Sequence, residues 1–393
     1  MAWLKRPLLS LLLLVVFIGP ASARPVLDWL TYDPDVLERY DVAQHPEDTA
    51  RQIVTPRWAG KQGPAPKRIL LLIPIKTPTA YSVSVSTILR DFYTEQLPAE
   101  FIVWFFERKQ DVAKEALDWS IAEKLDMIIP VGSAATEYLH ANYRNGDIPV
   151  VTSASKDPVL QGQIADYEKG SGTNFAYTSI NVPVDTQFAY LRQLMPTLKN
   201  IVLVYAKVNS SAVATQVKPL EAAAPRYGMQ IIECSVENEK TAVADLEANM
   251  PKALTEALQR DPAMKETIVL LTGSSEAYEQ IATINRLAGR VPVVSMLPDV
   301  VRPGDDSAMI SIGVNQSSAV HLAARYAIAI LQGKAKVGEL KVGVVNPPDI
   351  AINFKRVRQA GIQIPFPFFE SATFIYDYDG RQVRAFGQRV VMN

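Results

Sequence analysis

On either side of residues 172–179 the chain repeats one pattern: a short apolar run, a small polar loop, then a stretch with helical spacing. Apolar runs at 69–75, 101–106, 127–131 and 149–152 precede that segment, and runs at 201–205, 230–234, 267–272 and 292–295 follow it. Runs that are apolar throughout, rather than alternating, suit parallel strands covered on both faces. Two such alternations in series predict an α/β chain of two doubly wound parallel-sheet lobes, joined by crossover segments, with a ligand cleft between them.

The same pattern predicts a division of the chain. Residues 1–23 read as a signal peptide and 24–67 as an N-terminal extension and linker, ending in Lys61-Gln62-Gly63-Pro64-Ala65-Pro66-Lys67, where Pro and Gly stop both helix and strand. Lobe 1 is expected from 68–173 with about 316–348, and lobe 2 from 174–315 with about 349–364. The tail 365–393 alternates over 373–378 and turns at Asp379-Gly380, which predicts a short hairpin. The expected passages between lobes are 172–179, 311–315 and 347–353.

A chain of 393 residues has room for two buried cores. Its formal net charge of -1 offers nothing to attract nucleic acid or an anionic membrane. A small-molecule ligand and a monomeric state are therefore expected. In residues 1–23, Lys5 and Arg6 precede an apolar run over 8–18 and the small-x-small site Ala21-Ser22-Ala23, the layout of a cleaved secretory signal. That run is too short to span a bilayer comfortably. Cleavage after Ala23 takes the charge to -3 and places the mature chain in the periplasm without membrane insertion. No cysteine lies near the site, so no lipid anchor is expected. The single cysteine, Cys234, falls in the run 230–234 and reads as a buried strand residue rather than a nucleophile.

In sheets of this kind, ligands meet the loops at the carboxyl ends of the strands. The first such loop, 76–82, carries Tyr81 and Ser82 before a helix expected over 83–97, which Ser82 could also cap. Gly132 then permits a tight turn into Ser133 and Ala134, whose amides at a helix start would suit a carboxylate. Ser153 and Ser155 follow the fourth run. The second lobe offers Lys207, Asn209 and Ser210, then Ser274 and Ser275, then Asn315. Asn209 and Ser210 serve equally as caps for a helix over 212–220.

Reactive chemistry is missing from the pattern. There is no phosphate-binding Gly-rich loop, dinucleotide fingerprint, metal-spaced His/Cys cluster or Gly-x-Ser-x-Gly turn, so no cofactor, metal or catalytic residue is assigned. Of the three histidines, His45, His140 and His321, the last two fall in expected helices, away from the strand ends where a catalytic base would be expected. A periplasmic enzyme would have to use Asp157 or Asp299, both of which read as turn residues.

From about 68 to 364 the chain resembles the substrate-binding proteins of ABC transporters with a type I periplasmic-binding fold, and within them the tryptophan- and tyrosine-binding branch. The resemblance is carried by Ile128-Ile129-Pro130-Val131-Gly132-Ser133, Lys156-Asp157-Pro158-Val159, Gly172-Thr173-Asn174, Leu194-Met195-Pro196 before 200–205, Tyr227-Gly228-Met229, and Ile350-Ala351-Ile352-Asn353 before Ala360-Gly361-Ile362. It implies two lobes closing on a small solute for delivery to an ABC permease, with contacts at the twelve loop residues named above. The chain departs from the branch at Asn315, where related chains often carry an Asp to receive a ligand amine, and at Ser274-Ser275, which replaces a more acidic loop. Lys76 and Lys207 then leave room for an anionic solute. The expected function is capture of a small polar or anionic metabolite, such as an amino acid, for an importer. A sensory module reporting to a membrane receptor or kinase is the alternative.

Overall fold

The computed structural model describes residues 24–58 and 65–390. The expected signal peptide and most of the expected linker motif lie outside the described residues. No described helix is long and apolar enough to cross a membrane.

The first sheet contains β1 (Tyr40–Gln44), β2 (Arg51–Pro56), β3 (Lys67–Ile73), β4 (Ala99–Phe105), β5 (Met127–Pro130), β6 (Val150–Val151) and β7 (Phe175–Ala176), in the order β1-β2-β4-β3-β5-β6-β7. From β4 to β7 all pairings are parallel. Helices Pro78–Thr94 and Gln316–Leu331 supply Val85, Ile88, Val320 and Ala323 to the core on one face. Helices Gln110–Ala122 and Ser133–Tyr143 supply Ala116 and Leu139 to the other. Covering both faces explains why β3 is buried continuously from Ile69 to Ile73.

After the short β8 (Thr178–Ser179), the second sheet is built from β9 (Asn200–Ala206), β10 (Gln230–Val236), β11 (Thr267–Leu271), β12 (Val293–Ser295) and β13 (Ile310–Gly313). Then β14 (Gly343–Val344) pairs with β8 in a two-stranded connection, and β15 (Asp349–Asn353), β16 (Phe374–Tyr376), β17 (Gln382–Ala385) and β18 (Gln388–Arg389) extend the second sheet. Its order is β10-β9-β11-β12-β13-β15-β16-β17-β18, parallel from β10 to β13 and antiparallel at β13–β15. Cores lie on both faces here too. Cys234 is buried within one of them, and burial pushes its thiol up to about 12.

Three features differ from expectation. The first sheet takes in β1 and β2 from the segment set aside as an extension, and β7 from beyond residue 173. β1 and β2 are partly polar and β7 has only two residues, so none of them shows the apolar run that announces a buried strand. The tail hairpin β16–β17 forms, but it adds to the second sheet rather than standing apart. The helix expected over 83–97 begins at Pro78, because proline's fixed φ and missing N–H suit a first helical turn.

The extension braces the first lobe. Leu27, Leu30, Val36 and Tyr40 are buried in its core, and Arg90 holds Asp33 and Asp35 at 2.7 and 2.9 Å. The Tyr40 hydroxyl donates to the Leu89 carbonyl at 2.9 Å from a fully buried position. Tyr40→Phe is expected to cost about 1 kcal/mol, read as a lower urea midpoint at constant slope.

Candidate functional site

A cavity of about 510 Å³ opens between the two sheets, lined by the first lobe from Pro74 to Lys156 and by the second lobe from Val208 to Leu297. Six of the twelve expected residues line it: Tyr81, Ser133, Ala134, Asn209, Ser210 and Ser275. Tyr81 sits in the first turn of helix Pro78–Thr94 rather than in a loop. Its ring is backed by Trp29 at 6.4 Å between centroids. Gly132, at φ 95°, makes the turn into the next helix, and a Cβ there would stand only 2.9 Å from the Tyr81 hydroxyl. Glycine at this position is therefore required twice, for the backbone angle and for the tyrosine. Burial raises the Tyr81 and Tyr278 phenols above their ordinary value, so both are neutral donors.

The other six fall outside the lining. Ser82 is one helical step past Tyr81, so it faces the extension and accepts from the Thr31 amide and hydroxyl, each at 3.0 Å. Ser153 and Ser155 are buried behind the loop surface, leaving Ala154 and Lys156 at the cleft. Ser274 turns inward to the Thr272 hydroxyl at 3.0 Å. Asn315 caps helix Gln316–Leu331 through Ser317 and donates to Asp299 at 2.9 Å, so its neighbour Gln316 faces the cleft instead. Lys207 is exposed and pairs with Glu237 at 2.6 Å, a hydrogen bond that raises its pKa. Lys76 is exposed as well, outside the lining. Because a solvated surface pair contributes little at a distance, Lys207→Ala is expected to leave ligand affinity within about twofold by calorimetry. Two aromatics on strands near the cleft do not reach it: Phe175 stacks on Tyr177 in the core and Tyr205 donates to Glu233.

The lysine that does reach the cleft is Lys156, from the Lys156-Asp157-Pro158-Val159 motif. It is 7% exposed. Its amide donates to the Ser133 hydroxyl at 2.9 Å, and its Nζ donates across the cleft to Gln216 Oε1 at 3.4 Å. Burial lowers its pKa to about 8, opposed by the charge of Glu276. Gly273 faces the ammonium so closely that a Cβ there would lie 2.2 Å from Nζ. Gln216 is held in place because its Oε1 also accepts from the Gly273 amide at 2.8 Å.

Gln216 lies on a π-helical turn, Val213–Val217, that propensity could not announce. Pro219 follows it and has no N–H to give to the Thr215 carbonyl. Asn181 donates to that carbonyl and to the Thr215 hydroxyl, each at 3.3 Å, and accepts from the Asp157 amide at 2.9 Å. The connection at Asn181 thus ties the loop carrying Lys156 to the turn carrying Gln216. Arg108 and Glu137 are the remaining charges at the lining, Glu137 with its pKa raised by burial against the opposing pull of Arg108.

Neither aspartate of the enzymatic alternative is free for catalysis. Asp157 accepts from the Val159 and Leu160 amides at 2.9 and 3.0 Å and from the Tyr167 hydroxyl at 2.6 Å. Asp299 accepts from Asn315 and from the Gln316 amide at 3.0 Å. Among the described residues no group of three or more His, Cys, Asp or Glu side chains could hold a metal.

Comparison with known proteins agrees with this architecture. A tyrosine-binding protein of Clostridioides difficile is 23% identical over 245 residues, which span 62% of this chain and 65% of that relative. The chain therefore matches just under two thirds of the relative's length. Among solved structures, an ABC domain in complex with L-Trp from Streptococcus pneumonia superposes with a TM-score of 0.63 at 17% identity, over 79% of this chain and 100% of that one. A ligand-free, open substrate binding protein with adhesive properties from Clostridium difficile gives 0.59 at 18% identity, over 78% and 98%. At these identities the structures establish the fold. The sequence profile of a family described as ABC transporter substrate binding protein matches residues 107–373, more than half of the chain. The chain belongs to the ABC transporter substrate-binding protein family, a family of binding proteins rather than enzymes.

Proposed function

We propose that this protein captures a small organic solute between its two lobes, outside the cytoplasmic membrane, and presents it to the permease of an ABC importer. The observation that carries this reading is the cleft itself, whose walls come from the strand-end loops of both sheets and whose volume of about 510 Å³ suits a metabolite of amino-acid size. Tyr81, Phe106, Tyr138 and Tyr278 supply aromatic surface, while Ser133, Asn209 and Ser275 supply hydrogen-bonding groups. That mixture fits an aromatic amino acid or a close analogue, in keeping with the tyrosine-binding relative and the L-Trp complex. Family membership supports the importer, and the layout of residues 1–23 supports export.

Closure is supported by the connections between the sheets. Residues around β7 and β8, the Gly313–Asn315 passage and the β14–β15 passage all cross beside the cleft, so a small rotation about them opens or closes it. The test uses chain beginning at Arg24, unfolded and refolded to strip carried ligand. Thermal unfolding and small-angle scattering are measured with amino acids, carboxylates, amines and sugars. A true ligand at one hundred times its dissociation constant adds about 2.7 kcal/mol and reduces the radius of gyration. Absence of both effects across the panel would overturn solute capture.

A further inference from the structure

We infer that Lys156, with the uncapped start of helix Ser133–Tyr143, forms an anion seat at the inner end of the cleft that takes the carboxylate of the bound solute. This deepens the solute-capture reading and rests on it.

Two independent features line the same cavity. First, the Lys156 ammonium is buried yet has a single long hydrogen bond, to Gln216 Oε1, and no carboxylate within ion-pair distance among the described residues. A buried cation with unfilled donors is costly unless something compensates it. The surroundings fix the ammonium where it is: Gly273 lacks the Cβ that would push Nζ aside, and the Gly273 amide donates to the same Gln216 Oε1 that accepts from the ammonium. Second, helix Ser133–Tyr143 starts at Gly132, which has no side chain to satisfy the first-turn amides. Gly132, Ser133 and Ala134 line the same cavity as Lys156. Helix-start amides favour an anion, and the Ser133 hydroxyl accepts from the Lys156 backbone amide, which fixes the loop carrying the lysine beside the helix start. A carboxylate offers two oxygens, enough to meet the ammonium and the helix start together.

The charges facing this point are Glu276, Glu137 and Arg108, with the Tyr81 and Tyr278 phenols nearby. Glu276 is already engaged by Asn209 at 3.2 Å and acts on Lys156 only through space. None of them replaces an anion at Nζ.

The experiment titrates refolded protein with L-tyrosine, L-tryptophan, phenylpropionate and glutarate, each beside its carboxamide. At least one carboxylate is expected to bind, with its carboxamide weaker by about a hundredfold. Lys156→Met should lose binding of that carboxylate by a similar factor. Gly273→Ala keeps the charge but displaces it, and should lose about tenfold; Lys207→Ala should lose nothing. Circular dichroism and a cooperative melt confirm that each variant is folded. The anion seat is overturned if a carboxamide binds within threefold of its carboxylate, or if Lys156→Met and Gly273→Ala both retain affinity. Compaction by a neutral sugar, unaffected by Lys156→Met, would overturn the seat while leaving solute capture standing. Failure of every compound, including sugars and amines, to bind or compact the protein would bring down both.

Discussion

Ligand-free Lys156→Met protein is expected to melt at a higher temperature than the parent, although it has lost its grip on the ligand. The parent holds an ammonium in a site that is 7% exposed, with one long hydrogen bond to offset the lost hydration. The displacement from the ordinary 10.5 to about 8 corresponds to roughly 3 kcal/mol of destabilisation at neutral pH. Methionine fills similar volume without a charge. A gain of about 2 kcal/mol, or roughly 5 °C, is a conservative expectation. The sign with pH follows from linkage. Below pH 8 the lysine is charged in both folded and unfolded chains, so the full cost is present. As pH rises from about 8 toward 10.5, the folded lysine sheds its proton first and the cost is relieved. The difference in melting temperature between variant and parent should therefore be largest below pH 8 and shrink above it. A variant less stable than its parent throughout would mean that Lys156 is a structural tie rather than a poised cation.

Gly313→Ala is expected to destabilise the protein by about 3 kcal/mol, for a steric reason. Gly313 ends β13, and a Cβ on it would stand 2.1 Å from the Met296 carbonyl oxygen and 2.7 Å from its carbon. Those atoms are backbone, so no side chain can swing aside, in contrast to Gly273, whose closest neighbour is the mobile end of Lys156. The methyl group would wedge β13 from the chain leaving β12, which pair through Ser295 and Ser311. It would do so where the chain passes to Asn315 and the first-lobe helix Gln316–Leu331. Denaturant unfolding should show a lower midpoint at unchanged slope. An alanine variant within 0.5 kcal/mol of the parent would show that this passage yields more easily than its contacts imply.

Three glycines illustrate what can be read without coordinates. Gly132 stood out because a Gly-Ser turn after an apolar run announces a strand-to-helix corner. Gly273 and Gly313 each follow an apolar run in the sequence, and only the atoms opposite them give one a role at the ligand end and the other a role in sheet closure. The same holds for the lysines. Lys76, Lys156 and Lys207 all sit in strand-end loops, and Lys76 and Lys207 are solvated at the surface. Lys156 is not legible from the sequence, because a lysine inside a turn motif gives no local sign that its side chain will be buried. A cue was present in the run Ser153-Ala154-Ser155-Lys156, where a cation breaks a series of small residues at a cleft-facing position.

By itself the sequence determined the two-lobed α/β architecture, the apolar runs of its parallel strands and the general place of the cleft. These follow from hydrophobic periodicity, which is a local property that strands buried on both faces must display. Tertiary structure alone decided which residue of each loop faces the cleft. A helix that began five residues early at Pro78 turned Ser82 to the extension and Tyr81 to the cavity. A π-helical turn before Pro219 carried Gln216 across to Lys156. Such outcomes depend on helix phase and on contacts between segments sixty residues apart, and local patterning does not encode either.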